Sequence, residues 1–343
     1  SDSYTTGIRQ DTYYSGPSWN RYFNPDLTWE VGEKINLGLD LQLFNDFNLT
    51  FDIFREKRRD IFMTRENSIP EIVGTGETKI TSNNGEMENK GLDLAIDYNK
   101  QITKDFFLSF KSTLTFARNK VLKMDEPPYF EYPGLSDVGH PLGTYWGYVA
   151  DGLFPDQETI DNSPRQDLGY TPQPGDIKYV NQPNAKGEYD NVINSNDRVA
   201  IGHPYDPELV YGFGPSMKWK NWDFSFFFQG VARTSFMMYG MHPFGTTSIK
   251  NMLQFVADDH WSVDNPNPNA AYPRLTKDSN GNNDQYSTYW LRNAAFLKLK
   301  NAEIGYTYKG MRFYLSGVNL LTFSPFKHWD PEMGGGNGLY YPT

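Results

Sequence analysis

The nine residues WDFSFFFQG, at positions 222–230, decide the fold class of this chain. Aromatic and more polar side chains take turns along it: Trp222, Phe224, Phe226 and Phe228 alternate with Asp223, Ser225 and Gln229. Successive side chains of a β-strand point to opposite faces, so this segment has one aromatic face and one more polar face. The pattern predicts a strand whose aromatic face meets an apolar environment.

The same period of two recurs along the whole chain. Eight segments follow it, at 33–43, 47–55, 92–99, 106–116, 209–219, 222–230, 290–308 and 311–320. The segment 290–308 changes phase near Asn301, which predicts a β-bulge. The chain is therefore predicted to be all-β, with about eight strands.

The connections between these segments alternate between short and long. Tight polar turns are predicted at 45–46, 100–104, 220–221 and 309–310, and long loops at 58–87, 122–207, 233–289 and 322–343. Alternating turn lengths are typical of an up-and-down transmembrane barrel, whose periplasmic turns are short and whose extracellular loops are long. A soluble sandwich or barrel also alternates, but its strands average about 5–6 residues, whereas several segments here have about 10 residues or more. The aromatic face of 222–230 would then meet lipid and its polar face a wet lumen.

Composition excludes several classes of function. The net charge is -10 without a block of Lys and Arg, which argues against a nucleic-acid partner because phosphate binding needs a basic surface. The chain has no Cys, so disulfides and thiolate chemistry are absent. The sequence contains no run of about 18 apolar residues, so it predicts no membrane-spanning helix. A mean hydropathy of -0.65 is compatible with membrane strands, which alternate.

Eight strands are too few for the barrel that these loops indicate. An eight-stranded barrel has an interior filled by side chains, and an 86-residue loop has no place in it. We therefore expect the chain to be part of a larger barrel that continues beyond both of its ends.

Ordered motifs carry a resemblance to a known family. They read NPDLTWE at 24–30, NGEMENKGLDL at 84–94, GHPLGTYWGYVADGLF at 139–154, QPGDIKY at 173–179, NDRVAIGHP at 196–204, YGFGPSMKWKNWDFSFFFQG at 211–230, NAAYPRL at 269–275, STYWLRNAAFLKLKNAEIGY at 287–306 and YLSGVNLLTFSPFKHWDPE at 314–332. In this order the sequence resembles the SusC/RagA family of TonB-dependent outer-membrane transporters.

The resemblance implies that residues 1–343 are one partial barrel domain, most of the second half of about 22 strands. The plug, the first barrel half and the last strand would lie outside it. It further implies a place in the outer membrane of a Gram-negative, Bacteroidetes-like bacterium and contact with outer-membrane lipid. The implied function is import of oligomeric nutrients, most often glycans and sometimes peptides. The implied partners are a SusD-like surface lipoprotein and TonB, the latter through the absent N-terminal region.

Many members of that family carry a calcium-loop-like motif after QPGDIKY. Here the corresponding positions include Glu188, Asp190, Asn194 and Asp197. Lys186 stands where the first ligand would be and Asn191 where the loop needs glycine. We therefore predict no metal at this eroded loop.

Catalytic signatures are missing from the sequence. The five His residues show no HExxH or i, i+4 pair, and neither a GxSxG elbow nor a phosphate-binding loop occurs. We predict no enzyme, no catalytic residue and no cofactor. A soluble carbohydrate-binding β protein, a passive porin and an outer-membrane enzyme remain as alternatives.

Aromatic loop residues are the candidates for substrate contact, because sugars stack their apolar faces on aromatic rings. They are Tyr129, Phe130, Tyr132, Tyr145, Trp146, Trp261 and Trp329. The competing interpretation is that these rings pack the loops together or against the lipoprotein. Trp219, Trp222 and Tyr308 flank tight turns, so we assign them to the periplasmic aromatic girdle. The sequence does not choose between a glycan and a peptide substrate.

Overall fold

The structure is a computed structural model and describes residues 2–6, 12–16, 22–65, 67, 69, 80–238, 253–276 and 280–332. Its strands in chain order are β1 (Asp2–Thr6), β2 (Thr12–Gly16), β3 (Val31–Leu43), β4 (Phe47–Thr64), β5 (Thr81–Thr103), β6 (Phe106–Lys123), β7 (Tyr145–Gly147), β8 (Ala150–Leu153), β9 (Arg165–Gln166), β10 (Ile177–Tyr179), β11 (Val192–Ile193), β12 (Val199–Ile201), β13 (Leu209–Trp219), β14 (Trp222–Ala232), β15 (Ser235–Met237), β16 (Leu291–Asn293), β17 (Phe296–Tyr308) and β18 (Met311–Phe323). Two short helices, α1 (Gln157–Asp161) and α2 (Gln254–Asp258), lie in the long connections. Among the described residues, 3-10 turns occur at Pro133–Leu135 and Ser195–Asp197.

Eight long strands form one antiparallel sheet. Their order is β18-β17-β14-β13-β6-β5-β4-β3, so neighbours in the chain are mostly neighbours in the sheet. These strands correspond to the eight alternating segments of the sequence. The strands β1 and β2 form a separate hairpin that the alternation did not reveal.

Several strands are longer than the sequence predicts. Strand β4 continues to Thr64 and β5 begins at Thr81, so both ends of the predicted 58–87 loop, nearly half of its length, are strand. The alternation is masked there because charged side chains occupy both faces, as at Arg58 and Arg59. Strand β18 likewise runs to Phe323, beyond the predicted start of the last loop, whose residues 333–343 lie outside the described part.

The tight turns lie where the sequence predicts them. At 309–310, Lys309 has φ 46° and Gly310 φ 81°, the two positive values that a two-residue I′ hairpin turn requires. Lys220 also has a positive φ between β13 and β14. The turn predicted at 100–104 is reduced to Lys104 and Asp105, because β5 extends to Thr103.

The predicted bulge is confirmed at Lys300. Phe227 and Phe228 of β14 pair with Asn301 and Leu299 of β17, so Lys300 has no partner opposite it. The pairing of β17 with β18 shifts at the same place. The extra residue changes the phase of the alternation, as the sequence indicates.

Apolar side chains line up across strands on one face of the sheet. One row crosses all eight strands: Leu39, Phe51, Leu94, Leu114, Tyr211, Gly230, Leu297 and Phe323. Along β6 the same face runs from Phe106 to Phe116 with Ser112 as its one polar member. That distance, at about 3.3 Å per residue and a tilt of about 45°, gives a height of about 23 Å, close to the apolar band of outer-membrane barrels.

The opposite face is polar. Another row of paired residues contains Asn99, Ser109, Ser216, Ser225, Glu303 and Ser316. Phe227 also lies on this face, paired with Asn301. A Cβ on Gly212 would stand 2.8 Å from the Phe227 ring, so the glycine leaves room for that ring.

The buried core lies in the long connections. Its members include Tyr148, Ile177, Phe236, Trp261 and Trp290, which come from loops and short strands between the long ones. We call this cluster and the segments around it the loop body. In the described residues no helix has the length and apolarity to cross a membrane.

Candidate substrate-binding cleft in the loop body

A cleft of about 560 Å³ opens in the loop body. Its walls are Trp146, Tyr148, Arg198, Gly281, Asp284, Gln285 and Tyr286. Aromatic rings, a guanidinium, a carboxylate and an amide therefore surround one space. The walls come from two long connections, one between β6 and β13 and the other between β14 and β17.

Trp146 is fixed on its wall by pairing and by a hydrogen bond. Strand β7 pairs with β12, and Trp146 stands opposite Ala200. The indole Nε1 donates to Oδ1 of Asp137 at 2.6 Å, and the His140 ring meets the indole edge-on at 5.1 Å. The polar end of the ring is thereby satisfied, and the half-buried ring keeps one orientation beside the cleft.

The opposite wall is joined directly to the first. The backbone N–H of Tyr148 donates to the carbonyl of Tyr286, and that of Thr288 donates to Tyr148, both at 2.9 Å. A Cβ on Gly147 would lie 2.4 Å from the same Tyr286 carbonyl, so only glycine permits this approach. The tetrapeptide YWGY thus supplies both a cleft ring and the contact between the walls.

A buried polar network holds the second wall. The Asp176 carboxylate accepts hydrogen bonds from the side-chain amides of Asn280 and Asn283, each at 2.9 Å. Asn282 donates to the Ile177 carbonyl at 2.8 Å, and Asn283 accepts from the Ile177 N–H at 2.9 Å. All five of these residues are fully buried. Since buried polar groups are costly when unpaired, the complete pairing fixes the QPGDIKY segment against residues 280–283.

The cleft contains charged and polar side chains that can bind a polar substrate. Arg198 is exposed, and in the described part of the chain no ion pair of its guanidinium is found. Asp284 and Gln285 stand across the same space. Burial raises the pKa of the Tyr148 hydroxyl, so this group stays a neutral hydrogen-bonding phenol. The cleft offers ring faces together with both donors and acceptors, and no nucleophile paired with a base.

Of the seven predicted aromatic candidates, Trp146 alone lines this cleft. Trp146 lines the cleft, and Tyr145 beside it packs edge-on against Tyr205 with ring centres 6.4 Å apart. Phe130 is 84% exposed, whereas Tyr129 and Tyr132 are half-buried. These last three residues do not line this cleft, and substrate contact at them stays a prediction.

Two tryptophans of the candidate set belong to packing. Trp261 is only 7% exposed in the core, and Gly175 with φ 90° lies so close that a Cβ there would stand 2.2 Å from its ring. Trp329 packs edge-on against Phe326 at 4.4 Å. We remove Trp261 from the substrate candidates, because a buried ring has no face to offer. For Trp329 the structure favours the packing interpretation.

In the eroded calcium-like loop, acidic side chains accept hydrogen bonds from the backbone. Both Asp197 oxygens accept backbone N–H groups, from Gln182 at 2.7 Å and from Asn194 at 2.8 Å. The Asn194 and Asp197 side chains form a capping box on the 3-10 turn, and Asp190 caps Val192. Burial raises the pKa of Asp197. Within the described ranges, no group of three or more His and acidic residues is placed to hold a metal ion.

The three girdle candidates lie beside the tight turns. Trp219 and Trp222 face each other across the turn between β13 and β14, and Tyr308 pairs with Met311 beside the next turn. Lys220 lies over the Trp219 ring at 5.5 Å. Their position fits a membrane interface, and their contact with lipid stays a prediction.

Sequence reasoning missed Arg198, Asp284, Gln285 and Tyr286 as cleft residues. A usable signal existed, because Arg198 lies within the NDRVAIGHP motif and Tyr286 directly precedes STYWLRN. Their meeting depends on the pairing of β7 with β12 and of Tyr148 with Ser287.

Comparison with known families matches residues 2–320 to the TonB dependent receptor-like, beta-barrel family. The chain belongs to this family and is therefore part of an outer-membrane β-barrel, in agreement with its eight-stranded sheet and apolar face.

Curated relatives agree with this assignment and with the SusC/RagA resemblance. TonB-dependent receptor P3 of Formosa agariphila is 26% identical over 94% of this chain and 32% of the relative. TonB-dependent receptor SusC of Bacteroides thetaiotaomicron is 28% identical over 95% of this chain and 32% of the relative. The chain thus spans about a third of the length of these relatives. They are named as receptors and not as enzymes.

Solved structures share the fold. A structure of the RagAB peptide transporter matches 99% of this chain and 37% of its own, with a TM-score of 0.68 and 22% identity. The RagAB peptide importer in the 'open-open' state matches 99% of this chain and 36% of its own, with a TM-score of 0.70 and 21% identity.

Proposed function

We propose that this chain supplies part of the substrate path in a TonB-dependent importer of oligomeric nutrients, with glycans as the first substrate class. This proposal rests on the cleft, which is lined by Trp146 and Tyr286 together with Arg198, Asp284 and Gln285. Its volume falls in the range of about 300–1,000 Å³ found for ligand sites. The rings can stack on the apolar faces of sugars while the polar groups bond to hydroxyls.

Binding measurements on the whole purified protein test this proposal. Wild-type protein in mild detergent is titrated by calorimetry with panels of oligosaccharides and of oligopeptides. The double variant Trp146→Ala, Tyr286→Ala is expected to lose about tenfold or more in affinity, since each stacked ring contributes about 0.5–1.5 kcal/mol beyond its burial. Tyr189→Ala is the control, because this ring is 60% exposed, lies outside the cleft and is not among the substrate-contact candidates. Equal affinity of the double variant and wild type would exclude the cleft as the binding site.

A peptide substrate is the second candidate. The Arg198 guanidinium suits a carboxylate, which it can bind through two parallel hydrogen bonds. Two of the structural neighbours are described as a peptide transporter and a peptide importer. In the same titrations, tight binding of oligopeptides and none of oligosaccharides would replace glycans by peptides as the substrate class.

We also propose a SusD-like surface lipoprotein as the partner on the loop side. Phe130 and Val263 are each 84% exposed on long connections, so both apolar side chains are accessible to a partner on the loop side. Co-purification from solubilised outer membranes measures the interaction. Phe130→Ser with Val263→Ser should lower lipoprotein recovery, whereas Lys186→Ser, a polar exposed change, should not. Undiminished recovery in the double variant would remove these residues from the interface.

Energy coupling through TonB separates an importer from a passive porin. We propose that contact with TonB is made by a region outside this sequence. Uptake of the substrate should therefore stop when tonB is deleted or the proton gradient is collapsed. Uptake that continues under both conditions would identify a porin.

A further inference from the structure

The apolar face ends in a row of cations on the loop side of the sheet. Ile53, Leu92 and Phe116 form the last apolar row of β4, β5 and β6. Two residues further along each strand, on the same face, Arg55 pairs with Lys90 and Lys90 with Arg118. The change from apolar to basic thus happens in register across three strands.

The surface above the apolar rows is basic although the chain as a whole is acidic. It carries Arg55, Lys57, Arg59, Lys90, Arg118, Lys120, Lys123 and Arg233 against Glu33, Asp60, Glu86, Glu88 and Glu208. Eight basic side chains therefore face five acidic ones, in a chain whose net charge is -10. We call this surface the cationic rim.

The acids of the rim leave part of its positive charge available. Glu88 is shared by Arg55 at 2.5 Å and Lys90 at 2.7 Å, and Glu208 is shared by Arg118 at 3.1 Å and Arg233 at 2.6 Å. Lys120 forms no ion pair within the described residues. The side chains of Lys90 and Arg118 remain 58% and 54% exposed.

A cleft of about 660 Å³ lies at this boundary. Its floor includes Leu92 and Phe116, and Lys90, Arg118 and Lys120 stand at its basic side. The Glu88 carboxylate also lines the cleft and is paired with Arg55 and Lys90. Gly139 and Pro141 close its upper side. This upper segment is fixed to β6, because the Gly139 N–H donates to the Val121 carbonyl at 2.8 Å, and the Val121 N–H donates to the His140 carbonyl at 2.9 Å.

We propose that this cleft binds the phosphate-bearing head group of an outer-leaflet lipid, through Lys90, Arg118 and Lys120. Arginine and lysine bind phosphate by charge-assisted hydrogen bonds, and arginine does so with two N–H groups in parallel. The adjoining Leu92, Phe116 and Ile53 belong to the membrane-facing rows, so the acyl chains of the same molecule continue along the apolar face. Continuity of the basic and apolar surfaces selects a lipid over a soluble anion.

The position along the strands selects the leaflet. The rim lies at the end of β4, β5 and β6 that leads to long loops, and the tight turns lie at the other end. Long loops of outer-membrane barrels are extracellular. The lipid therefore belongs to the outer leaflet, where a phosphorylated glycolipid has the required chemistry.

The test measures phosphorylated lipid that co-purifies with the whole protein in mild detergent, by mass spectrometry and per mole of protein. The variant Lys90→Gln, Arg118→Gln, Lys120→Gln is expected to retain about tenfold less lipid, because it removes three cations and their charge-assisted hydrogen bonds to the phosphate. Lys34→Gln with Lys111→Gln is the matched control, since these exposed lysines lie on the opposite face. The control should retain lipid as wild type does.

The variant should still fold, because Glu88 keeps Arg55 and Glu208 keeps Arg233. Heat-modifiable migration on gels checks this, and Lys120→Gln alone, which breaks no described ion pair, should retain an intermediate amount of lipid. Unchanged lipid in a folded triple variant would overturn the proposal, as would recovery of only unphosphorylated lipid. Displacement of the lipid by inorganic phosphate at equal molar concentration would also overturn it, because it would show a site for a free anion.

Discussion

Asp176 in the loop body accepts a hydrogen bond at 2.7 Å from Nε of Arg274, which lies 98 residues further along the chain. The carboxylate is fully buried, and the arginine side chain is 17% exposed. The pair joins the connection between β6 and β13 to the connection between β14 and β17. This ion pair adds to the hydrogen bonds from Asn280 and Asn283 that hold the two long loops together.

Asp176→Asn is expected to destabilise the loop body by about 3 kcal/mol or more, because it leaves a largely buried guanidinium without its charge partner. Hydrogen exchange should then speed up at 166–180 and 280–290 but not in the long strands. Asp167→Asn is the control, since that side chain is 62% exposed. Unchanged exchange in both segments would show that the network does not hold the loops.

Gly175→Ala tests the contact of a turn with a buried ring. The residue has φ 90°, and the added Cβ would meet the Trp261 ring at 2.2 Å. Gly187→Ala is a matched control, because Gly187 has φ 80° with no atom within 4 Å. Both variants carry a backbone cost of about 1–2 kcal/mol, and only the first carries the clash. Thermal unfolding should therefore show a larger fall for Gly175→Ala, and equal falls would contradict the packing of Trp261.

Phe226→Arg and Ser225→Arg test which face of β14 meets lipid. A charged residue on the lipid side near the bilayer centre costs about 2–4 kcal/mol, and one on the lumen side costs little. Ser225 pairs with Glu303, so an arginine there gains an acidic neighbour. The amount of folded protein in the outer membrane should drop for Phe226→Arg and stay near wild type for Ser225→Arg. The reverse order would invert the assignment of faces.

Arg198→Gln separates the two substrate classes. If the cleft binds a peptide carboxylate, loss of the charged donor should lower affinity by about tenfold or more. If it binds a neutral glycan, glutamine still donates a hydrogen bond and the loss should be small. Lys186→Gln, an exposed change outside the cleft, is the control. Titration with whichever oligomer the wild type binds reads out the difference.

The strands were predictable because their signal is local. Alternation at 222–230 and the phase change near Asn301 each depend on neighbouring residues alone, and the sheet reproduces both. The ends of β4 and β5 were missed for the same reason. Above the apolar rows both faces carry charge, so the local pattern vanishes although the backbone pairing continues.

The cleft was only partly predictable. Trp146 was found because an aromatic residue in a long loop is conspicuous, and Trp261 was included on the same ground although it is buried. The identity of an aromatic residue in the sequence does not show whether the face of its ring is exposed or buried. Exposure depends on what folds against the ring, here Gly175 from 86 residues earlier in the chain.

The amino-acid sequence by itself determined the all-β class, the eight strands, the two faces of the sheet and the tight turns, because each follows from side-chain periodicity and turn residues within a short stretch. Only the tertiary structure decided which rings are buried, that Arg198, Asp284 and Tyr286 line one cleft, and that Arg55, Lys90 and Arg118 form one row. These relations arise from pairing between segments far apart in the chain, where register and loop packing are fixed by long-range hydrogen bonds and burial.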